Sequence, residues 1–418
     1  MTRQPTARKL ALIGPGLLVA ATGVGAGDLA TAGFSGSRLG LAICWAVVVG
    51  ALLKFVVTEG VARWQVATGE TLLAGLGRRI GPIAGIVFLL YAAPWLVITG
   101  GALISACAAT TLALLGVEAT TTLRALAGGA CSTLGVLVAL RGGYKLFERI
   151  MAVCVGLMFL VVIVSAGATR PDLGELARGL LVPRIPPVEG ALPWTVALIG
   201  GVGGTLTILC YGAWMRDHAA AGGHTPDART ALRCARIDLA LGYAVTAVFG
   251  VAMVVIASGV GAEGRGSGLI VALADRLGEG VGPWARLAFI AGAWAAVLSS
   301  LLGVWQAFPM LVSDAVRASG LLGTDARRAH PAGSTGKDPV AIATLLCIAT
   351  LPMLTLVLDF ATIQRAYGVY GATFVPLLAL TLLITNRRTA WLGEHRNGPI
   401  ASIALVLTLA FFAYLALP

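Results

Sequence analysis

Long apolar stretches alternate with short polar ones from one end of the chain to the other. A membrane-spanning helix needs about 20 consecutive, mostly apolar residues, and eleven stretches approach or exceed that length. Glycine, proline and charged residues mark the turns between them. The pattern therefore predicts an all-α integral membrane protein with about eleven transmembrane helices. The predicted spans are Leu10–Ser37, Leu41–Val66, Ile83–Leu115, Leu123–Leu140, Leu146–Ala166, Trp194–Trp214, Ala231–Gly259, Trp284–Ser313, Pro339–Leu358, Ile363–Ile384 and Ile400–Ala416.

The first span is interrupted near its middle by the segment TGVGAGDLAT, residues 22–31. Gly23, Gly25 and Gly27 occupy every second position, and a glycine inside a helix costs about 1 kcal/mol relative to alanine. Asp28 should cost roughly 2.5–3.5 kcal/mol more at bilayer depth. A weakened helix and a charge at this depth are tolerated where they face a cavity inside the protein. We therefore expect a broken helix and a binding site here.

A second glycine cluster, GGVGG at Gly200–Gly204, lies in the sixth span, five spans after the first cluster. Because five is an odd number, two sets of five helices insert with opposite orientations. This predicts a LeuT-type 5+5 inverted repeat with helices 1 and 6 broken, in one transmembrane domain, residues 1–418. The repeats would be residues 10–166 and 194–384, with 400–416 as an extra helix. Substrate is expected where the breaks meet, because unwound backbone exposes carbonyl and N–H groups there.

Composition and charge support a membrane protein. Hydrophobic residues make up 58% of the chain and charged residues 12%, and the mean hydropathy is +0.90. The net charge of +11 comes from lysines and arginines scattered over short loops, so it forms no patch for nucleic acid. These residues favour alternate loops about two to one, which predicts a cytoplasmic N-terminus and an external C-terminus in the inner (plasma) membrane. The bilayer is the expected partner, and a homo-oligomer is left open.

The expected site residues lie at the two breaks or on spans that could face them. Asp28 is either a metal ligand or substrate counter-ion, or only the N-cap of the half-helix Leu29–Ser37, and the two roles are compatible. The glycines either unwind the backbone or form a close packing face. The hydroxyl groups either bind cargo or bond to their own helix. The predicted substrate-binding set is Gly25, Ala26, Asp28, Gly201, Gly204, Thr205, Thr207, Tyr211, Ser299 and Gln364.

Ionisable residues elsewhere carry weaker predictions. Glu59 and Arg63 are four residues apart, which predicts an ion pair on one helix face with a structural or gating role. Asp238 lies near the start of the seventh span and is expected at the membrane interface. The spans contain no nucleophile–base pair and no HExxH spacing, so neither an enzyme nor a bound cofactor is predicted.

Several segments resemble the Nramp family of proton-coupled divalent-metal transporters, which has a LeuT-type fold and eleven or twelve spans. The resemblance covers most of the chain. The similar segments are IGPGLLVAA (Ile13–Ala21), TEGVARWQVATGETLLAGL (Thr58–Leu76), GGYKLFERIMAV (Gly142–Val153), AGAWAAVLSSLLGVWQAF (Ala291–Phe308) and FVPLLALTLLITNRR (Phe374–Arg388).

The differences from the family fall on the site itself. The family's first-helix signature is Asp-Pro-Gly-Asn, with Asp and Asn as metal ligands, and it aligns with residues 25–28, Gly-Ala-Gly-Asp. Its sixth-helix Met-Pro-His aligns with residues 204–206, Gly-Thr-Leu, so the soft sulfur and the imidazole are absent. The third span, Ile83–Leu115, lacks the acids that the family uses in proton movement. The chain resembles an outlying branch without the usual Asp and Met ligands.

Two functions fit these residues. The first is secondary active transport of a divalent or other hard cation, of the Mg or Mn class, by alternating access and with proton coupling as the family implies. Asp28, hydroxyl groups and carbonyl groups would then supply hard oxygen ligands. The alternative is transport of a small organic solute such as an amino acid or amine, whose carboxylate would meet a half-helix N-terminus. A membrane receptor or scaffold is a third class, and it predicts no alternating access.

Overall fold

The computed structural model describes residues 14–141, 144–222, 227–259, 268–321 and 338–416. Within these ranges it does not describe the side chains of residues 26–28, 144, 219–222, 281 and 416. The predicted start of the first span, Leu10, lies outside the described residues, and so does the side chain of Asp28. Across the described ranges the regular secondary structure is entirely helical.

Seventeen α-helices occur in the described part of the chain. They are α1 Pro15–Gly23, α2 Ala32–Leu39, α3 Cys44–Thr68, α4 Leu72–Ile80, α5 Ile83–Leu115, α6 Thr121–Arg141, α7 Tyr144–Ala168, α8 Leu173–Leu181, α9 Ala191–Gly201, α10 Cys210–Gly222, α11 Ala228–Ala257, α12 Gly268–Val281, α13 Pro283–Ala318, α14 Pro339–Thr350, α15 Phe360–Thr385, α16 Thr389–Leu392 and α17 Pro399–Ala416. One π-helical turn, Ala26–Thr31, joins α1 to α2, and short 3₁₀ turns join or extend other helices.

Aspartate caps and glycine stops explain many of the helix boundaries. The Asp172 and Asp359 side chains accept hydrogen bonds from backbone N–H groups in the first turns of α8 and α15, a favoured N-cap arrangement. Gly69 and Gly116 end α3 and α5 with positive φ angles of 72° and 67°. Glycine adopts this left-handed conformation without the clash that a Cβ atom would cause.

Nine helical stretches of the described chain are long and apolar enough to cross a membrane, and α17 gives a tenth if counted with α16, to which it is bent by 117°. The all-α membrane architecture is therefore confirmed, whereas the count of eleven stays a prediction. The predicted first and second spans meet without a loop, because Leu29–Thr68 is one helical stretch of 40 residues. A 3₁₀ turn at Gly40–Ile43 lies inside it.

Helices from the two predicted halves of the chain pack against each other. The second spans of the two halves, α3 and α11, pack along each other, and so do the third spans, α5 and α13. The half-helix α9 packs along α15 and against the π turn that follows α1. The second and third spans of the first predicted half therefore contact those of the second, and the two broken helices also contact each other.

Candidate functional site

The first break is a short distortion. The backbone N–H of Val24 still donates to the Ala20 carbonyl at 2.8 Å, and the Leu29 N–H donates to the Gly25 carbonyl at 2.9 Å. Only Val24 and Gly25 separate α1 from the π turn. The predicted break is therefore present, but the helix widens there and does not unwind over the whole glycine segment.

The second break is wider, and glycine conformations account for it. Gly203 and Gly204 have positive φ angles of 73° and 83°. These angles interrupt the helix, and glycine adopts them without steric cost. Gly200 and Gly201 are still the last helical residues of α9. Of the two interpretations of the glycines, unwinding therefore does not apply at these two positions. Gly200 instead allows close contact with the Gly368 carbonyl oxygen on α15.

The two breaks touch each other through backbone atoms. A Cβ atom added to Gly23 would lie 2.5 Å from the Gly203 carbonyl carbon and 2.5 Å from the Gly204 nitrogen. A Cβ atom at Gly25 would overlap the Ser300 side chain on α13. These glycines are therefore required for close packing, while Gly203 and Gly204 provide the unwinding. Both interpretations of the glycine clusters hold, at different positions.

A lysine from the second span holds the carbonyl end of the second break. The Lys54 ammonium donates to the Gly200 carbonyl oxygen at 2.6 Å and also to the Val202 carbonyl oxygen. Lys54 is completely buried. A cation is favourable at the C-terminal end of a helix, where unpaired carbonyl groups carry partial negative charge. The charge of Lys54 therefore neutralises the partial negative charge at the C-terminal end of α9.

At the first break, serine hydroxyl groups donate hydrogen bonds to a backbone carbonyl group. Ser299 and Ser300 on α13 donate to the Ala21 carbonyl oxygen at 3.2 and 3.3 Å, and Ser299 also bonds within its own helix to Ala296. All of these groups are buried. Ser299 thus lies at the predicted position beside the break, where it contacts protein backbone.

The sixth-span hydroxyls divide into two groups. Thr205 and Thr207 lie directly after the unwound segment and are 1% and 4% exposed, so the protein buries both residues beside the break. The Trp95 indole N–H on α5 donates to the Thr205 hydroxyl oxygen at 2.9 Å. Tyr211 lies elsewhere. Its hydroxyl donates to the Asp238 carboxylate at 3.0 Å, away from the break.

Asp238 caps the N-terminus of α1. Its carboxylate accepts from the backbone N–H groups of Gly14 at 3.2 Å and Gly16 at 2.5 Å. Asp238 is 2% exposed, so the protein buries this carboxylate, while its expected position at the membrane interface stays a prediction. The cap lies about 10 Å from Gly23, by the helical rise over seven residues. The sequence contains one signal for this cap, a carboxylate that lies eleven residues inside a helix. A charge buried there requires partners.

Replacing Tyr211 with phenylalanine tests whether this hydroxyl belongs to the cap or to the cargo site. Loss of one hydrogen bond to a carboxylate should reduce stability by about 1–2 kcal/mol. The unfolding temperature in detergent should fall, while the Michaelis constant for uptake of a divalent cation, the first of the two expected cargoes, stays unchanged. Tyr414→Phe, at a side chain that is 73% exposed, is the control. A raised Michaelis constant with unchanged stability would return Tyr211 to the cargo site.

Gln364 is the buried amide on α15. Its Nε2 donates to the Ala102 carbonyl on α5 at 2.8 Å, while its Oε1 has no hydrogen-bond partner among the described residues. The residue is fully buried. A buried acceptor without a partner is costly, and this oxygen is available to a ligand.

Glu59 and Arg63 pair as expected, at 2.6 Å. The pair is part of a larger set, because Arg236 on α11 also contacts the Glu59 carboxylate at 2.8 Å. Arg63 further donates to the carbonyl groups of His395 and Arg396, at 3.2 and 3.4 Å. These contacts connect α3, α11 and the turn before α17. Whether the pair also acts in gating stays a prediction.

Side-chain ligands for a metal are scarce. Where the structure describes side chains, no group of three or more His, Cys, Asp or Glu residues could hold a metal ion. Asp28 falls outside that description, so its predicted roles as ligand and cap stay predictions. Gly25, Gly204, Thr205, Thr207 and Ser299 do gather at the breaks, with backbone carbonyl groups among them.

Comparison with known proteins settles the family. A sequence model of the family described as "Natural resistance-associated macrophage protein-like", Nramp, matches residues 16–417. This chain belongs to the Nramp family. The divalent metal cation transporter MntH of Aeromonas hydrophila is similar, with 26% identity over 417 residues, covering 97% of this chain and 95% of that protein. MntH of Mycobacterium leprae is 27% identical over 261 residues, covering 59% of this chain and 57% of that protein.

Solved structures confirm the Nramp and LeuT-type fold. The Eremococcus coleocola manganese transporter matches this chain with a TM-score of 0.75 and 16% identity, covering 99% of this chain and 87% of that one. MhsT in complex with L-phenylalanine matches with a TM-score of 0.57 and 17% identity, covering 94% and 97%. The likeness to an Nramp structure extends over nearly the whole chain, which agrees with the broken helices described above.

Proposed function

We propose that this Nramp protein carries a divalent metal cation across the membrane by alternating access, and that the cargo binds where the two breaks meet. The contact of Gly23 with Gly203 and Gly204 carries the proposal. It brings two interrupted helices together inside the protein, where backbone groups can replace water around an ion. The names of both MntH relatives, divalent metal cation transporters, support a metal as the cargo.

The ligand atoms available at the breaks favour a hard cation. Lys54 and the two serines already bond to three of the break carbonyls. The cargo is therefore left with the Asp28 carboxylate, nearby hydroxyl groups, the Gln364 amide oxygen and its own water molecules. Oxygen ligands and retained water suit Mg²⁺ or Mn²⁺. Sulfur, which favours softer transition metals, is missing from the aligned ligand positions.

The proposal also includes the orientation in the membrane, the two repeats and proton movement with the metal. Loop charges support an inner-membrane protein with a cytoplasmic N-terminus and an external C-terminus. The repeats are residues 10–166 and 194–384, with the extra helix at 400–416. Proton movement with the metal is proposed from the family resemblance. A homo-oligomer would leave this mechanism unchanged, because the proposed site lies within one chain.

Uptake into proteoliposomes tests the cargo. The purified protein should accumulate Mn²⁺ or Mg²⁺ above empty liposomes, and Asp28→Asn should reduce that uptake at least about tenfold, since a carboxylate is the strongest ligand available to a hard dication. Asp172→Asn is the control, because Asp172 caps the exposed helix α8. Metal uptake equal to that of empty liposomes, with accumulation of an amino acid or amine, would overturn the proposal.

A further inference from the structure

An amphipathic cleft lies between α3, α11 and the start of α17. Its volume is about 540 Å³. Apolar side chains form one wall, and arginine side chains line the other part. Ile400, at its edge, is 84% exposed on α17, which together with α16 is long and apolar enough to cross a membrane. The cleft therefore combines a lipid-facing apolar surface with a charged end. The apolar lining includes Phe55, Val56, Ile400, Ala404 and Leu405.

The charges in the cleft are mainly positive. Arg63, Arg236 and Arg396 face a single carboxylate, Glu59, so the net charge is +2. Arg63 is only 6% exposed, and its Nε–H has no hydrogen-bond partner among the described residues. An unpaired donor on a buried cation is costly. The cleft thus presents more hydrogen-bond donors and positive charge than its own carboxylate neutralises.

The start of α17 adds a second source of positive potential. Pro399 is its first residue, and the Ser402 N–H donates to the Gly398 carbonyl at 3.1 Å. The N–H groups of Ile400 and Ala401 precede that first bond and have no acceptor within the helix. Both residues line the cleft. A helix N-terminus of this kind favours an anion, and phosphate above all.

We propose that this cleft binds an anionic phospholipid. The phosphate headgroup would lie between the arginines and the N-terminus of α17, and an acyl chain would lie along Phe55, Val56 and Leu405. Basic pockets between transmembrane helices recognise anionic headgroups in this way. A metal cation is disfavoured here because the net charge is positive. An apolar partner helix would leave the Arg63 donor and the α17 N–H groups buried without acceptors.

The lipid that stays bound to the extracted protein tests the proposal directly. The full-length protein is reconstituted in nanodiscs that contain equal phosphatidylglycerol and phosphatidylcholine, extracted, and examined by native mass spectrometry. We expect phosphatidylglycerol to be retained preferentially, and Arg236→Gln to reduce the retained fraction at least about fivefold. Arg229→Gln is the matched control, because Arg229 lies on the same helix, is exposed and pairs with Glu394 outside the cleft.

Two further variants keep the test decisive if Arg236→Gln fails to fold. Arg396→Gln removes an exposed guanidinium whose side chain donates to Thr389, and it should reduce phosphatidylglycerol retention several-fold. Ala404→Trp should exclude both lipids by filling the apolar wall. Equal retention of phosphatidylglycerol and phosphatidylcholine by the wild type would overturn the proposal. So would unchanged retention in folded Arg236→Gln or Arg396→Gln.

Discussion

Gly23→Ala is expected to reduce metal uptake at least about tenfold. The added methyl carbon would lie 2.5 Å from two backbone atoms of the second break, which cannot move aside as a flexible side chain would. The breaks must then separate by about 1 Å to restore ordinary contact, and displacement on that scale can cost two orders of magnitude where geometry is critical. Initial rates of Mn²⁺ uptake into proteoliposomes, with protein content matched, measure the effect.

Gly33→Ala provides the control for that substitution. A Cβ atom at position 33 would meet only Leu269, at 3.5 Å, and Leu273, at 3.8 Å, which are ordinary van der Waals distances. Both glycines lie in the first span and receive the same methyl group. Wild-type uptake by Gly23→Ala would show that the contact between the breaks is unimportant for transport.

Lys54→Met is expected to tighten binding of a divalent cation at least about tenfold and to lower the unfolding temperature. A buried ammonium about 6 Å from a dication would repel it by several kcal/mol at an effective dielectric constant of 20. Removing that charge favours the metal and frees two carbonyl oxygens to coordinate it. Without the metal, the same two carbonyls lose charge-assisted bonds, each worth about 1.5–3 kcal/mol.

Calorimetric titration of Mn²⁺ and thermal unfolding in detergent measure the two effects. Lys145→Met removes a lysine that lies exposed at the end of the helix bundle, and it should change neither quantity. The decisive comparison is the thermal shift caused by metal, which should be larger in Lys54→Met than in the wild type. Unchanged or weaker metal binding would place the cargo away from the lysine and the second break.

The sequence predicts the architecture well because membrane insertion leaves few alternatives to long apolar helices. It also identifies both breaks, since glycine clusters within apolar spans are strong local signals. The sequence predicts less about the roles of individual residues. Gly200 and Gly203 are three residues apart in the same motif, yet one packs inside a helix and the other has a left-handed backbone.

Roles that depend on distant contacts are the ones that sequence reasoning missed. Lys54 has no acidic residue three or four positions away, which indicates that its partner lies on another helix but does not say which. The position of Tyr211 after the second break predicts a role in the cargo site. Its hydroxyl direction is fixed by Asp238, which lies 27 residues later. Pairings of this kind arise only when the helices pack.

The burial of Lys54 has a consequence for biogenesis. As α3 enters the membrane it carries Lys54, Glu59 and Arg63, and each charge costs about 2.5–3.5 kcal/mol at the centre of an isolated helix. Glu59 and Arg63 can neutralise each other at once, but the carbonyl oxygens that receive Lys54 lie 146 and 148 residues further along. During synthesis the ribosome must therefore produce the sixth span before the second can settle fully. Lys54 therefore reaches its hydrogen-bond acceptors only after part of the second half of this transporter has been made.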